Sequence, residues 1–202
     1  LLSGAIDLAV SARDVAPDEA KQGVRTTRYA TTPLALATSE RTSSEGLSTD
    51  DLVGILAGEI TSWPDGQRIR LVLRPKSETT TKTLRALSDE MDAAVERAYS
   101  RPGMFVAVND QDNASALEDL AGSLGFVTMG QIATEQRRLK VLSLDGLRPE
   151  PDGSPSQNRL SQRSLMLVNR VGGSPLAEKF SSFVLSRESQ QILAGLDHGP
   201  AH

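Results

Sequence analysis

The spacing of apolar residues along the chain predicts short strands that alternate with helices. Three short runs of aliphatic residues predict strands at 5–10, 69–73 and 104–108. Between the last two runs, apolar residues recur at helical spacing from about 78 to 100. Ser88 is followed there by two acids, which is typical of a new helix start, so this stretch predicts two helices joined at a bend.

The remaining segments continue the same alternation. A capped helix is predicted between Ser48 and Gly58, and an extended segment at 25–38 is predicted to be broken into two pieces by Pro33. Strands are expected at 125–128, 139–142 and 165–168. A C-terminal helix that starts at Ser174 is predicted to bury one apolar face, made of Leu176, Phe180, Phe183 and Val184. The alternation of strands and helices indicates the α/β class.

Composition excludes several classes of function. The 202 residues include 22 Lys and Arg against 26 Asp and Glu, so the net charge of −4 argues against a nucleic-acid partner. Cysteine is absent, which excludes thiolate nucleophiles and disulfides. The two histidines, His198 and His202, lie at the end of the chain, and this argues against a His-centred triad or a multi-His metal site. The composition indicates no cofactor, and an enzyme is not expected.

A turn rich in cations and hydroxyls lies between the predicted strand at 69–73 and the following helix. Open α/β sheets bind ligands at such strand ends, and a helix start offers free N–H groups to an anion. Arg74 and Lys76 would add positive charge, while Ser77, Thr79 and Thr80 would add hydroxyl donors. The alternative is simple capping, with Ser77 as the N-cap, Thr80 three residues later and the cations in solvent.

A second candidate lies near the first predicted strand. Asp7 is placed near the middle of that strand, Ser11 at its end and Arg13 just beyond it. Asp7 could accept a hydrogen bond from a protonated oxyanion, and Ser11 and Arg13 could donate to one. In the alternative interpretation, Asp7 caps a nearby turn and Arg13 is solvated.

Several motifs resemble those of phosphate-binding proteins of ABC transporters, which are type 2 periplasmic binding proteins. Residues 4–13 (GAIDLAVSAR) resemble the family's G-x-(I/V)-D-(I/L/F)-x-x-S-x-R stretch. Residues 46–63 are similar to its G-L-(S/T)-x-x-x-L-x-x-I-(F/L)-x-G-x-I-x-x-W stretch. Further similar segments follow in the family's order, at 69–74, 122–126, 180–184 and 190–193.

The resemblance implies a fold and a binding site. The fold would have two α/β lobes joined by crossing hinge strands, the first lobe formed by residues 1–32 and 164–202 and the second by 33–163. The oxyanion would be held in the cleft by the residues that match the family's motifs. These are Asp7, Arg74, Ser77 and Thr79, with Ser11, Arg13 and Thr80 as neighbours.

Two departures from the family pattern stand out. Glu78 occupies the position of a family glycine, and a carboxylate ~4 Å from a bound anion would cost ~4 kcal/mol at an effective dielectric of 20. The family also begins with a strand, a Gly/Ser-rich turn and a helix that do not precede Leu1 in this sequence. We therefore expect an incomplete first lobe, and we interpret the sequence as a mature or trimmed chain without its signal segment.

The resemblance implies a periplasmic or extracytoplasmic protein that captures a small oxyanion, with phosphate as the first candidate, and delivers it to an ABC permease. The alternative is a binding-protein fold used for signalling or protein interaction, with an altered ligand or none. A phosphate-ester hydrolase is a third hypothesis. It is disfavoured because the chain lacks cysteine, internal histidine and a clustered carboxylate metal site.

Overall fold

The computed structural model describes residues 1–150, 160 and 162–201, and its elements alternate between strands and helices. The described strands are β1 Leu8–Ser11, β2 Val24–Ser39, β3 Gly46–Leu47, β4 Arg70–Leu73, β5 Phe105–Val106, β6 Ser123–Thr128, β7 Leu139–Leu144 and β8 Gln162–Arg170. The described helices are α1 Pro17–Ala20, α2 Thr49–Ala57, α3 Thr79–Arg85, α4 Asp89–Ser100, α5 Asp110–Asp119, α6 Met129–Glu135, α7 Pro175–Val184 and α8 Arg187–Ala194.

The chain divides into two compact units. The described part of unit 1 consists of residues 1–33 and 162–201. Its sheet has the strand order β1-β8-β2, in which β8 pairs antiparallel with β1 on one side and with the first part of β2 on the other. Strand β1 is therefore an edge strand, and helices α7 and α8 follow β8 along the chain.

Helix α7 packs on its sheet with a different face from the one predicted. Asn169 of β8 donates a 2.9 Å hydrogen bond to the hydroxyl of Ser181, and Ala177 and Val184 are buried on the same side of the helix. Of the four predicted core residues, only Val184 is buried. The prediction is wrong for the other three, whose exposures are 75% for Leu176, 49% for Phe180 and 48% for Phe183.

Unit 2 contains residues 34–150 and 160 among those described. In its sheet, the second part of β2 pairs antiparallel with β6 and β7, and β4 lies parallel between β6 and β5. The predicted helix starts are confirmed, because Ser48 accepts a hydrogen bond from the N–H of Asp51 and Ser88 accepts one from the N–H of Met91. The main core lies between these helices and the sheet, and it includes Leu36, Leu52, Ile55, Leu56, Met91, Val95, Leu124 and Leu142.

The predicted break at Pro33 is wrong, since β2 runs without interruption for 16 residues. Proline has no N–H to donate to a ladder. In this strand, Pro33 lies opposite Gln162 at the end of the pairing with β8, and the pairing with β6 begins at the next residue, Leu34. The missing donor therefore falls where β2 changes partner, so the strand continues.

Three other elements differ from their predictions. Strand β1 begins only at Leu8, because residues 1–4 form a turn closed by a hydrogen bond from the N–H of Gly4 to the carbonyl of Leu1. Strand β5 is reduced to two residues. Helix α6 was not predicted, because its seven residues contain a glycine and show little apolar periodicity.

Gly122 holds the loop between α5 and β6 in a conformation that few residues adopt. Its φ is +74°, and a Cβ atom at this position would lie 2.3 Å from the carbonyl oxygen of Arg68. The Gly122 carbonyl accepts hydrogen bonds from the indole N–H of buried Trp63 and from the N–H of Arg70. The close approach of the two backbones depends on the absence of a side chain.

We expect Gly122→Ala to lower the free energy of unfolding by about 3 kcal/mol, because it combines left-handed strain with a backbone clash. Gly66→Ala is the matched control: Gly66 has a φ of +86° but no heavy atom within 4 Å of an added Cβ. The control should lose only about 1 kcal/mol. Equal losses in urea titrations of the two variants would contradict this account of Gly122.

Candidate functional site

Arg74 is held at the end of β4 by hydrogen bonds within unit 2. Its side chain is only 8% exposed. Nη1 donates to the carbonyl of Ala107 at 3.0 Å and to that of Asn109, while Nη2 donates to Asp110 Oδ1 at 2.7 Å. A buried guanidinium requires such partners, and they come from the segment between β5 and the first residue of α5.

The backbone of the turn that follows is supported from α4. Tyr99 donates its hydroxyl proton to the carbonyl of Arg74, and Thr81 Oγ1 lies 3.3 Å from the Tyr99 oxygen. The ammonium group of Lys76 forms a 2.6 Å ion pair with Glu96 and lies 5.1 Å from the centre of the Tyr99 ring. The hydrogen bond from Lys76 lowers the pKa of Glu96. Both cations of the turn are therefore already paired with acids of unit 2.

Glu78, rather than Ser77, caps helix α3. Its carboxylate accepts a 2.7 Å hydrogen bond from the N–H of Thr80, and its own N–H donates to the carbonyl of Pro75. The capping alternative that placed Ser77 at the N-cap is thus wrong, because the turn closes one residue later. Ser77 and Thr79 are exposed, and their hydroxyls have no partner among the described residues, whereas Thr80 is buried.

Two residues that position the turn were not among the predicted ones. Asp110 pairs with Arg74, and Tyr99 bonds to the Arg74 carbonyl. Asp110 carried a readable signal: it follows a predicted strand closely, and the carboxyl ends of parallel strands such as β4 and β5 meet at one edge of a sheet. Tyr99 carried no such signal, because an aromatic residue on a helix more often belongs to the core.

The three candidate site residues of unit 1 lie near the two ends of β1. Asp7 lies one residue before the strand and not in its middle, because β1 starts late; its exposed carboxylate has no partner among the described residues. Ser11 is the last residue of β1, and its hydroxyl donates to the carbonyl of Arg13 at 2.8 Å and accepts from the N–H of Arg13 at 3.1 Å. The structure thus brings Ser11 and Arg13 together.

Arg13 is paired with an acid and not merely solvated. Its Nη1 and Nη2 donate to the two carboxylate oxygens of Glu19 at 2.8 and 2.9 Å. The N–H of Ala16 donates to the same carboxylate at 2.7 Å. Together these hydrogen bonds lower the pKa of Glu19 to about 2. Ser11, Arg13 and Glu19 line an open cavity of about 540 Å³ in unit 1, and Asp7 lies outside its lining.

The seven predicted site residues fall into two groups, one in each unit. Asp7, Ser11 and Arg13 belong to unit 1, and Arg74, Ser77, Thr79 and Thr80 belong to unit 2. Within the described residues, no three His, Cys, Asp or Glu side chains cluster in a way that could hold a metal ion. A helix of sufficient length and apolar character to cross a membrane is likewise not found in the described part of the chain.

Comparisons with known proteins agree with one another. A family model described as a PBP superfamily domain matches residues 1–188. The phosphate-binding protein PstS of Borreliella burgdorferi is 24% identical over 194 residues, which cover 92% of this chain and 69% of that protein. A putative phosphate ABC transporter substrate-binding protein with bound phosphate, from Clostridium perfringens, matches with a TM-score of 0.77 at 17% identity, over 100% of this chain and 82% of that one. The periplasmic molybdate-binding protein of Azotobacter vinelandii matches with a TM-score of 0.66 at 12% identity, over 98% and 80% of the two chains.

The Glu19 carboxyl is expected to titrate near pH 2 and not near its usual 4.5, because its ionised form binds Arg13 and the Ala16 N–H. Its pKa is lower in the folded state, so the stability gained from this pair is complete above about pH 4.5 and is lost as the pH falls toward 2. Carbon-13 NMR of the side-chain carboxyl measures this directly.

Arg13→Gln should raise the pKa of Glu19 toward its usual value. Arg25→Gln removes an arginine of the same unit that pairs instead with Glu178, and it should leave Glu19 unchanged. A titration of Glu19 near pH 4.5 in the unmodified chain would contradict the ion pair.

Proposed function

Because the chain belongs to the PBP superfamily and has the α/β fold of type 2 periplasmic binding proteins, we propose that it is an extracytoplasmic solute-binding protein that captures phosphate for an ABC-type importer. The predicted family resemblance and fold class are confirmed by these matches. The observation that carries the proposal is the similarity to PstS, a phosphate-binding protein, along 92% of the chain. The structure with bound phosphate supports the same ligand class.

The alternative roles have less support. The relatives named above are binding proteins for phosphate or molybdate and not enzymes, which is consistent with the expectation that this chain does not catalyse a reaction. None of them is described as a signalling module. An ABC permease as the partner and a location outside the cytoplasm follow from the family and are part of the proposal.

The turn between β4 and α3 in unit 2 combines exposed hydroxyl donors with the buried cation of Arg74. Ser77 and Thr79 are exposed and have no partner among the described residues, so their hydroxyls are available to an oxyanion. Arg74 adds its positive charge, while its bonds to Ala107 and Asp110 keep the guanidinium in one place. A ligand bound there would gain charge-assisted hydrogen bonds without the entropy cost of ordering Arg74.

Unit 1 offers both an acceptor and donors. The exposed carboxylate of Asp7 can accept a hydrogen bond only from a ligand that carries a proton, such as hydrogen phosphate. Sulfate carries no proton at neutral pH, so Asp7 would favour phosphate over sulfate. Ser11 and Arg13 already bond to each other, and Arg13 also pairs with Glu19, so we propose that they support the site from its edge.

The proposal predicts saturable, phosphate-selective binding that needs Asp7. Calorimetric titration of phosphate into the chain at neutral pH, with sulfate as the control ligand, should show heat for phosphate alone. Asp7→Asn should weaken phosphate binding by about tenfold, because a neutral amide oxygen accepts the ligand's proton more weakly than an ionised carboxylate does. Glu188→Gln removes an exposed acid of α8 in the same unit and should have no effect. Absence of phosphate binding by the chain would overturn the proposal.

The position of Glu78 leads to an unusual expectation for a binding site: substitution of this residue should raise the affinity for phosphate. Its carboxylate sits at the start of α3, beside Thr79 and Thr80, and repels a bound anion. Glu78→Gly and Glu78→Gln should each raise phosphate affinity by about tenfold or more, since both remove the charge. Glycine is itself among the preferred N-cap residues, so Glu78→Gly should preserve the fold. Unchanged or weaker affinity in both variants would show that Glu78 does not face the ligand.

A further inference from the structure

Unit 2 has a pocket at the amino end of β4, whereas Arg74 lies at the carboxyl end of the same strand. Its volume is about 320 Å³, which is at the small end of the range for ligand sites. Its walls come from the end of α2, the start of β4 and the segment between α4 and β5. The apolar part of the lining includes Ile55, Ile60, Ile69, Met104, Phe105 and Leu120.

Three arginines line this mostly apolar pocket, and no Asp or Glu contributes to its described lining. Arg70 donates to the carbonyl of Ala121 at 2.6 Å, while the exposed side chain of Arg68 has no partner among the described residues. The two acids of the loop after α2 have other partners, since Glu59 pairs with Arg97 at 3.0 Å and Asp65 accepts a 2.6 Å hydrogen bond from the hydroxyl of Ser43. The pocket therefore carries an excess of positive charge.

The burial of Arg101 makes this excess of positive charge energetically unfavourable. Its Nε and Nη2 atoms are buried and have no hydrogen-bond acceptor among the described residues. Its guanidinium lies against Gly58, at the carboxyl end of α2, where a Cβ would be 2.6 Å from Nη1. The burial lowers the pKa of Arg101. A buried donor without an acceptor is destabilising, and an anion that enters the pocket would give Arg101 a partner when its side chain turns toward it.

We propose that this pocket binds a small amphipathic anion, a carboxylate attached to a short apolar chain. The carboxylate matches Arg68 and Arg101, because guanidinium groups bind carboxylates through paired N–H donors. The apolar chain matches Ile60, Met104 and Phe105, and Phe105 is 47% exposed. An inorganic oxyanion fits this pocket poorly, because it would leave the apolar walls in contact with water. The site is thus distinct in chemistry from the proposed phosphate site.

The four methionines of the chain provide a site-specific test with octanoate as the probe. In a sample with carbon-13 methionine methyl groups, the Met104 signal should shift saturably as octanoate is added. Met91 is fully buried in the core and should not respond. Met166 lies in β8 of unit 1, so its signal should not respond if octanoate binds only at the pocket of unit 2.

Charge variants then separate the proposed site from simple apolar contact. Arg68→Gln and Arg101→Gln should each weaken octanoate binding at Met104 by about tenfold, and Arg68 is exposed, so its variant should fold normally. Arg138→Gln removes an exposed arginine outside the pocket and should leave binding unchanged. Neutral 1-octanol should bind at least about tenfold more weakly than octanoate.

Three results would overturn the proposal: no shift of Met104, a shift confined to Met166, or equal binding of octanoate and 1-octanol. Equal octanoate affinity in the Arg68 variant and the unmodified chain would overturn it as well. The outcome does not depend on whether phosphate binds at the other end of β4, so the two proposals stand or fall separately.

Discussion

The turn between β4 and α3 depends on the hydrogen bonds of a single buried guanidinium. Arg74 donates to the carbonyls of Ala107 and Asn109 and to the carboxylate of Asp110, and its own carbonyl accepts the hydroxyl proton of Tyr99. These bonds connect the end of β4 with the segment after β5, with α5 and with α4. Removal of the guanidinium would leave the carbonyl of buried Ala107 without this donor, which costs more than the bond contributes when present. The exposed hydroxyls of the turn are positioned by this arrangement.

The same turn already contains an anion supplied by the chain. The Glu78 carboxylate accepts the N–H of Thr80, and an external oxyanion at the start of α3 would compete for that donor and for the same positive surroundings. Lys76, the other cation of the turn, is paired with Glu96 and so offers little compensation. An oxyanion ligand therefore has to contribute hydrogen bonds that Glu78 cannot make, which favours ligands that reach the Ser77 and Thr79 hydroxyls and also carry a proton.

Local signals in the sequence were sufficient for the elements that are determined locally. Helices α2 and α4 were predicted because Ser48, Gly58 and Ser88 mark their ends through short-range hydrogen bonds. The errors arose at elements whose structure is determined by a partner that is distant in the sequence. Pro33 does not break β2, because its missing donor coincides with a change of partner strand. Leu176, Phe180 and Phe183 of α7 are exposed, because Asn169 binds Ser181 on a neighbouring face of the helix. Within the candidate site, the residues of the family motifs could be identified from the sequence. Asp110 and Tyr99 were missed, because they contact Arg74 only in the folded chain.

An arginine lies at each end of strand β4, and the two guanidinium groups have different hydrogen-bond partners. Arg74 at the carboxyl end is paired with the exposed carboxylate of Asp110, so a ligand there would share this cation with an acid and take most of its hydrogen bonds from the neutral hydroxyls nearby. At the amino end, Arg70 bonds to a neutral carbonyl, and Arg68 and Arg101 have no acid beside them in the pocket. Positive charge that no acid of the pocket balances thus lies at the amino end of β4, in apolar surroundings where a carboxylate interacts more strongly than it would in water. This difference is the physical reason to expect two ligand chemistries on one strand.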